Sequence, residues 1–541
     1  MEHNEEFRFG SARWATEADI EAAGLFNPNG LQIGFWDSRP LHYHGDAPMS
    51  LFGGAGSGKL RDILGHVLCQ PKHGAGMVLD LKGELAATSL VSFASKAMRV
   101  YTWNPASVAG LPQHRLNPLD LLTASSTSLH ADCRMFAESL IPFSGGGESR
   151  YFEQRARDWV GAFLLFLTEW QSRVTFVDLS NLLNSIEGDT ETWLQRLELM
   201  QQSEHANVRR TAGEILTKQS DAPREFGSIM GTIYAALGCL DDPMLRDSLC
   251  DPDLEFEDFV AQANAYIFLN IPAEYVSIWS PVIRCFFTAV MLHKARQTSA
   301  GRITFIIDEA AQLGRFEGLT RLFSYGRGLG IRTWAVFQDV GQITARYGFG
   351  ALQTFIGSSA CRQFVGTRDF DTAQMVSDML GSETLSYVDP LLQTRARHAK
   401  ADALLRFLNG DPLSAVRDFK RFQFEATHRP KQARKLMTPD EILTMPEDRQ
   451  IIFLSGINLA PIFAHKRPYY TSMSLAGRYL PNPYHPPCDT VVVQTAYGSE
   501  RRRIITEDVP PFASMLPQYA CGQWSYVEGF RPELEGRHIY G

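Results

Sequence analysis

Two short stretches carry residue types whose spacing fits phosphate chemistry. The first, Gly53-Gly-Ala-Gly-Ser-Gly-Lys-Leu60, follows an apolar run. Its glycines let backbone N–H groups converge in a tight turn, and Lys59 brings a cation for phosphate oxygens. The second, Arg302-Ile-Thr-Phe-Ile-Ile-Asp-Glu309, is an apolar strand that ends in two adjacent carboxylates. A buried strand with acids at its tip is what a nucleotide hydrolase needs, because metal-bound phosphates lie just beyond such tips. Asp308 is the expected magnesium ligand, and Glu309 is expected to polarise the attacking water. Gly53, Gly54, Ala55, Gly56, Ser57, Gly58, Lys59 and Leu60 are the expected nucleotide-binding residues, with ATP and Mg2+ as cofactors.

Each signal has a plainer reading. The loop fits G-x-x-x-x-G-K, but Leu60 stands where Ser or Thr normally completes the magnesium shell, so an ordinary glycine turn competes. The helical period of Leu60-Arg-Asp-Ile-Leu-Gly-His-Val-Leu68 supports the phosphate reading, since a helix start favours anions. For Asp308-Glu309 the alternative is an acidic cap on the next helix. Gln338 ends the strand-like Thr333-Trp-Ala-Val-Phe337 and either orients water or is a buried amide satisfied by backbone. Arg327, set among Gly326, Gly328 and Gly330, is either a guanidinium displayed to a phosphoryl group across a subunit boundary or a surface salt bridge. His42 and His44 have too few neighbouring donors for a metal site and read as structural. Arg501-Arg502-Arg503 reads as a solvated face.

Composition narrows the class. The chain has 541 residues, formal net charge −8 and eight scattered cysteines with no CxxC pair. It is long enough for more than one domain, and nucleic acid would have to meet a local patch or channel rather than a basic coat. The cysteines read as thiols of a reducing compartment. No apolar run is expected to reach the roughly 18–20 residues of a membrane helix, and the N-terminus lacks a signal-peptide layout, so a cytoplasmic chain is expected.

Elements then fall into place around the two stretches. Strands are predicted at Met49–Phe52, Met77–Leu81, Val100–Trp103, Tyr266–Asn270, Ile303–Ile307, Thr333–Phe337 and Gln363–Val365, alternating with helix-period segments. That order describes a doubly wound α/β core with a mostly parallel sheet. From Asn117-Pro118 to Asp221-Ala-Pro223 apolar residues recur at three and four positions (Phe152, Trp159, Phe163, Phe166, Leu167), which predicts an all-α insertion. The expected division is 1–122, an irregular start and the first part of the nucleotide-binding domain; 123–223, the all-α insertion; 224–480, the second part; and 481–541, a proline-rich arm with a short strand at Val491–Gln494. Between Tyr387 and Arg434 basic residues outnumber acidic ones, as suits either a polyanion contact or a solvated loop.

The order of these segments resembles the TraG/TraD-type coupling proteins of conjugation and type IV secretion. The likeness is carried by Gly10-Ser-Ala-Arg-Trp-Ala15, Val78-Leu-Asp-Leu-Lys-Gly-Glu84, Arg115-Leu-Asn-Pro-Leu-Asp120 and Ile306-Ile-Asp-Glu-Ala-Ala-Gln-Leu-Gly314. It continues through Arg327-Gly-Leu-Gly-Ile-Arg332, Gln338, Tyr347-Gly348, Asp371-Thr-Ala-Gln-Met-Val-Ser377 and Leu436-Met-Thr-Pro-Asp-Glu441, so it spans about residues 8–480. The resemblance implies a RecA-like P-loop motor domain with an inserted all-α domain, working as a hexameric ring with Arg327 as a finger toward the adjacent subunit. It implies delivery of relaxase-bound single-stranded DNA, or of a protein substrate, to inner-membrane components of a type IV secretion channel. Family members typically begin with two transmembrane helices, and this chain starts where those would end. A soluble member, or one held at the cytoplasmic face of the inner membrane by a partner, is therefore expected.

Overall fold

The computed structural model describes residues 9–386, 398, 401, 431–509 and 523–529, apart from 73, 95, 145, 146, 263, 476, 481, 485–489, 496 and 497. Most of the basic residues noted between Tyr387 and Arg434 lie outside the described residues, as do Cys488 and Cys521.

Strands enclosed on both faces read as near-continuous apolar runs, and such runs pair here into one large sheet. Its parallel part comprises β3 (Met49–Gly53), β4 (Ala75–Leu81), β5 (Arg99–Trp103), β6 (Ala265–Ile271), β7 (Ile303–Ile307), β8 (Ile331–Phe337) and β9 (Cys361–Val365). Each predicted strand is present. One edge is extended antiparallel by β1 (Leu31–Trp36), β2 (Arg39–Tyr43), β12 (Arg449–Leu454) and β13 (Ile462–His465). The full order is β2-β1-β13-β12-β9-β3-β8-β7-β4-β6-β5. The N-terminal segment expected to be irregular thus supplies the β1–β2 hairpin. A small hairpin, β10 (Ser382–Ser386) with β11 (Lys431–Lys435), and a separate sheet of β14 (Thr490–Thr495), β15 (Gly498–Asp508) and β16 (Gln523–Val527) complete the strands.

Alternate residues of the central strands feed two cores. Leu51, Val78, Ile306 and Trp334 belong to one face, whereas Phe52, Met77, Phe305 and Phe337 belong to the other. The second face joins a long helical stretch between β5 and β6, from the helix Leu129–Leu140 through Glu148–Trp170 to Phe256–Ala261. The turn residues at Asp221-Ala-Pro223 do not lead back to the sheet. Pro223 opens the helix Pro223–Leu237, where its missing N–H costs nothing, and helices persist to Ala261.

The helix Val276–Arg296 departs from the expectation that no segment reaches membrane length. By length and composition it could cross a bilayer, yet 89% of its most apolar window is buried inside the protein, the position of a core helix. Its Arg284 is buried and donates to the carbonyls of Ser139, Leu140 (3.1 Å) and Leu313 (2.7 Å), and to Ser280 Oγ (3.0 Å). Burial lowers this guanidinium to about 10. The contacts join the end of the first helix of the helical stretch to the turn just after Glu309.

Candidate nucleotide site

The glycine loop leaves the C-terminal end of β3, and the acid pair leaves that of β7, with β8 between them. Parallel pairing therefore brings both tips, and Gln338 at the end of β8, to one edge of the sheet. This is the crevice where open α/β sheets bind ligands. In the loop Gly56 (φ +72°) and Gly58 (φ +81°) adopt left-handed backbone that glycine enters without strain. A Cβ at position 58 would also lie 2.1 Å from Asp62 Oδ2. The predicted helix follows, but its first turn, Lys59–Leu64, winds as a π-helix before the short α-helix Gly65–Leu68.

The Lys59 ammonium donates to the Gly53 carbonyl (2.8 Å) and to Glu309 Oε1 (3.0 Å), 250 positions away in the chain. Gln338 Nε2 donates to the other carboxylate oxygen of Glu309 at 3.0 Å, so this amide is not satisfied by backbone alone. Glu309 itself has φ +50°, and a non-glycine residue held there stores about 1–3 kcal/mol, a cost that concentrates at functional sites. Asp308 accepts the Glu309 N–H at 3.1 Å. Burial, with the neighbouring Glu309 charge adding, pushes the Asp308 carboxyl up to about 7, while Lys59 opposes the shift.

Behind the acids lies a buried polar row. The registers Asp80↔Asn270 and Leu79↔Ile307 place Asn270, Asp80 and Asp308 at neighbouring strand ends. Asp80 accepts the Ala86 N–H at 2.7 Å, and burial holds its carboxyl well above the usual range.

A cavity of about 670 Å3 collects these groups, a size in the ordinary range for small-molecule sites. Ala55, Gly56, Ser57, Gly58, Lys59, Leu60, Asp308, Glu309 and Gln338 line it. Gly53 and Gly54 do not. Gly53 contributes its carbonyl to Lys59, and Gly54 runs beside the Gly366 backbone. Arg327 is exposed at the N-terminal end of β8, seven strand residues from Gln338, and so roughly 20 Å away at about 3.3 Å per residue. The chain does not bring it to its own cavity.

Sequence reasoning missed what supports the loop. Lys466, buried and just past β13, donates to the Ser57 carbonyl (2.8 Å) and to Asp62 Oδ2 (2.7 Å). It also missed Tyr469, Tyr470 and Tyr479, which line the cavity and sit edge to face at centroid distances of 5.2–5.3 Å. Aromatic density in Pro468-Tyr-Tyr470 was the available signal.

Residues 13–397 and 416–496 match the family described as type IV secretory system conjugative DNA transfer. The chain belongs to that family. It is 22% identical over 483 residues to a conjugal transfer protein TraG of Escherichia coli, covering 82% of this chain and 72% of the relative. It is 24% identical over 429 residues to the type IV secretion system-coupling protein VirD4 of Bartonella quintana, covering 76% and 61%. The plasmid coupling protein TrwB in complex with the ATP analogue ADPNP has a similar fold, at TM-score 0.58 and 14% identity over 85% of this chain and 95% of that one. TrwB in complex with ADP and Mg2+ gives a TM-score of 0.53. The fold is thus the RecA-like P-loop α/β fold with a helical domain, and the chain's role lies in delivering substrate for type IV secretion and conjugation.

Proposed function

We propose that this coupling protein binds Mg2+-ATP in the cavity and uses its hydrolysis to feed a substrate into a type IV secretion channel. The observation that carries the reading is the convergence of Lys59 and Gln338 on the two oxygens of Glu309, with Asp308 beside them and the glycine loop opposite. The residues fit a magnesium nucleotide: a loop free of Cβ atoms at Gly56 and Gly58, one cation for phosphate charge, and one carboxylate for a metal that otherwise takes phosphate and water oxygens. TrwB, bound to ADPNP in one structure and to ADP with Mg2+ in another, supports the same ligands here.

In this reading Ala55, Ser57 and the glycines hold the phosphates, Lys59 neutralises them and Asp308 holds the cation. Magnesium held by Asp308 would stabilise the charge on the transferred phosphoryl group and the departing ADP. Glu309 orients the attacking water and takes its proton, and Gln338 fixes the Glu309 carboxylate in place. Lys59 must exchange Glu309 for phosphate, which releases the carboxylate toward water when nucleotide arrives. Arg327, displayed away from its own cavity, completes the site of an adjacent subunit in a hexameric ring. Relaxase-bound single-stranded DNA or a secreted protein is the substrate, and inner-membrane channel components are the partners. The helical stretch from Leu129 to Ala261 forms the domain that meets substrate or channel, between the two parts of the motor.

Phosphate release with and without single-stranded DNA, on wild type and Glu309→Gln, tests the proposal. DNA-stimulated turnover that vanishes in Glu309→Gln supports it; an intact oligomer with no turnover under any condition overturns it. Leu60 favours a second reading, a nucleotide-binding adaptor without turnover, because its side chain leans into the apolar core and offers the cation no hydroxyl. That adaptor would bind ATP in the same assay and release no phosphate.

A further inference from the structure

Part of the cavity lining comes from outside the family match. Ile504 and Thr506 line it from β15, and the match ends at residue 496. They are two apart on one strand, so both present to the same face. Ile504 and Tyr470 each pack against the cluster of the buried Val491 and Val527, which ties this sheet to the tyrosine cluster. The cluster is built into the motor: Tyr469 lies against Gly65, where a Cβ would sit 2.6 Å from the ring, and with Tyr479 it encloses Cys69 and Leu475. The Gly477 N–H reaches the Ser525 carbonyl at 3.3 Å, and the Leu480 N–H reaches the Thr88 carbonyl at 2.9 Å. The wall is therefore anchored both to the small sheet and to the helix Glu84–Ala94.

The lining groups differ in chemistry. Lys59, Asp308 and Gln338 gather around Glu309, as phosphates and a cation require, and Arg61 lines the cavity near Tyr470. Tyr470 and Ile504 offer a flat ring and a branched aliphatic group without formal charge, surfaces suited to the face of a planar heterocycle. Resting on the nucleotide reading above, we propose that the small C-terminal sheet closes the base end of the site, with Tyr470 and Ile504 gripping the nucleobase.

Titration calorimetry of the full chain with Mg2+-ATP and with Mg2+-tripolyphosphate tests this. Tyr470→Ala and Ile504→Ala are each expected to weaken ATP about tenfold, the effect of one lost stacking or apolar contact, and to leave tripolyphosphate within about twofold. Tyr470→Phe should keep wild-type affinity for ATP, which separates the ring's role from its hydroxyl and from folding. Lys59→Ala should lose both ligands. Wild-type ATP affinity in both alanine variants, or equal loss of ATP and tripolyphosphate in both, overturns the proposal and leaves the phosphate site standing. A wild-type chain that binds neither ligand overturns the nucleotide reading itself. If Tyr470→Ala fails to fold, Ile504→Ala decides.

Discussion

The nucleotide cavity and the helical stretch between β5 and β6 are held by different kinds of contact. Around the cavity, position depends on a few directional polar bonds: Lys466 to Ser57 and Asp62, Lys59 and Gln338 to Glu309. The helical stretch relies on interlocking apolar volume, with Trp159, Phe163, Phe176 and Trp193 buried and its charged pairs, such as Arg155 with Glu214 and Lys218 with Glu225, left near the surface. Directional bonds fix atoms to within the tolerance that catalysis needs, whereas apolar packing fixes only shape. A single polar change should therefore be severe in the first region and mild in the second.

The sharpest break in that contrast is Glu309→Gln. Turnover is expected to fall by about 10²- to 10⁴-fold, measured as phosphate release, while ATP affinity holds or rises because Lys59 loses its competing partner. Next is Lys466→Ala, which leaves the buried Asp62 with Arg61 as its remaining charged partner, strips the Ser57 carbonyl of its buried donor and should cost about 1–3 kcal/mol in denaturant unfolding. Replacing Lys466 and Asp62 together by apolar residues should recover much of that stability without recovering the loop's grip on nucleotide. A loss under about 1 kcal/mol for Lys466→Ala would show that the loop is held by packing after all.

His66 gives a pH test within the same region. Its Nε2 lies 2.7 Å from the Arg467 carbonyl, and burial first, with Arg467 adding, lowers the imidazole to about 4. Below the unfolded value near 6.5 the unfolded chain binds a proton that the folded one refuses. Stability is thus complete above about 6.5 and drains away as pH falls toward 4, roughly 3 kcal/mol over the window. Wild type should lose more melting temperature than His66→Gln between pH 7 and 5. The smallest effect belongs to the helical stretch, where Arg155→Ala should change stability by less than about 1 kcal/mol despite its contacts with Asp158 and Glu214.

Legibility in the sequence follows the same division. Most of the seven parallel strands were readable because they are short, doubly buried apolar runs, the edge strand β5 being buried only at its Thr102–Trp103 end, and the acid pair was readable because it ends such a run. The loop was readable from its glycines, although the π-turn after Lys59 was not, since winding depends on what packs around it. The edge hairpin β1–β2 was missed because Arg39 and Pro40 interrupt its pattern at the exposed end. The Lys466–Asp62 pair joins residues 404 positions apart, and local spacing cannot pair a lysine with one acid among many. Pro223 misled because proline marks helix starts as well as chain turns. Val276–Arg296 was passed over because Arg284 and Pro281 break its apolar run, yet that arginine is satisfied by carbonyls rather than by water.

Arg284 has a mechanical consequence. Its guanidinium is the common strut of two parts, gripping the end of the helix Leu129–Leu140 on one side and the turn beyond Glu309 on the other. Neither can slide past the other without stripping a buried cation of its acceptors, a penalty far above thermal energy. Small excursions at the acid pair are thus carried bodily into the first helix, like a crank pinned to its shaft.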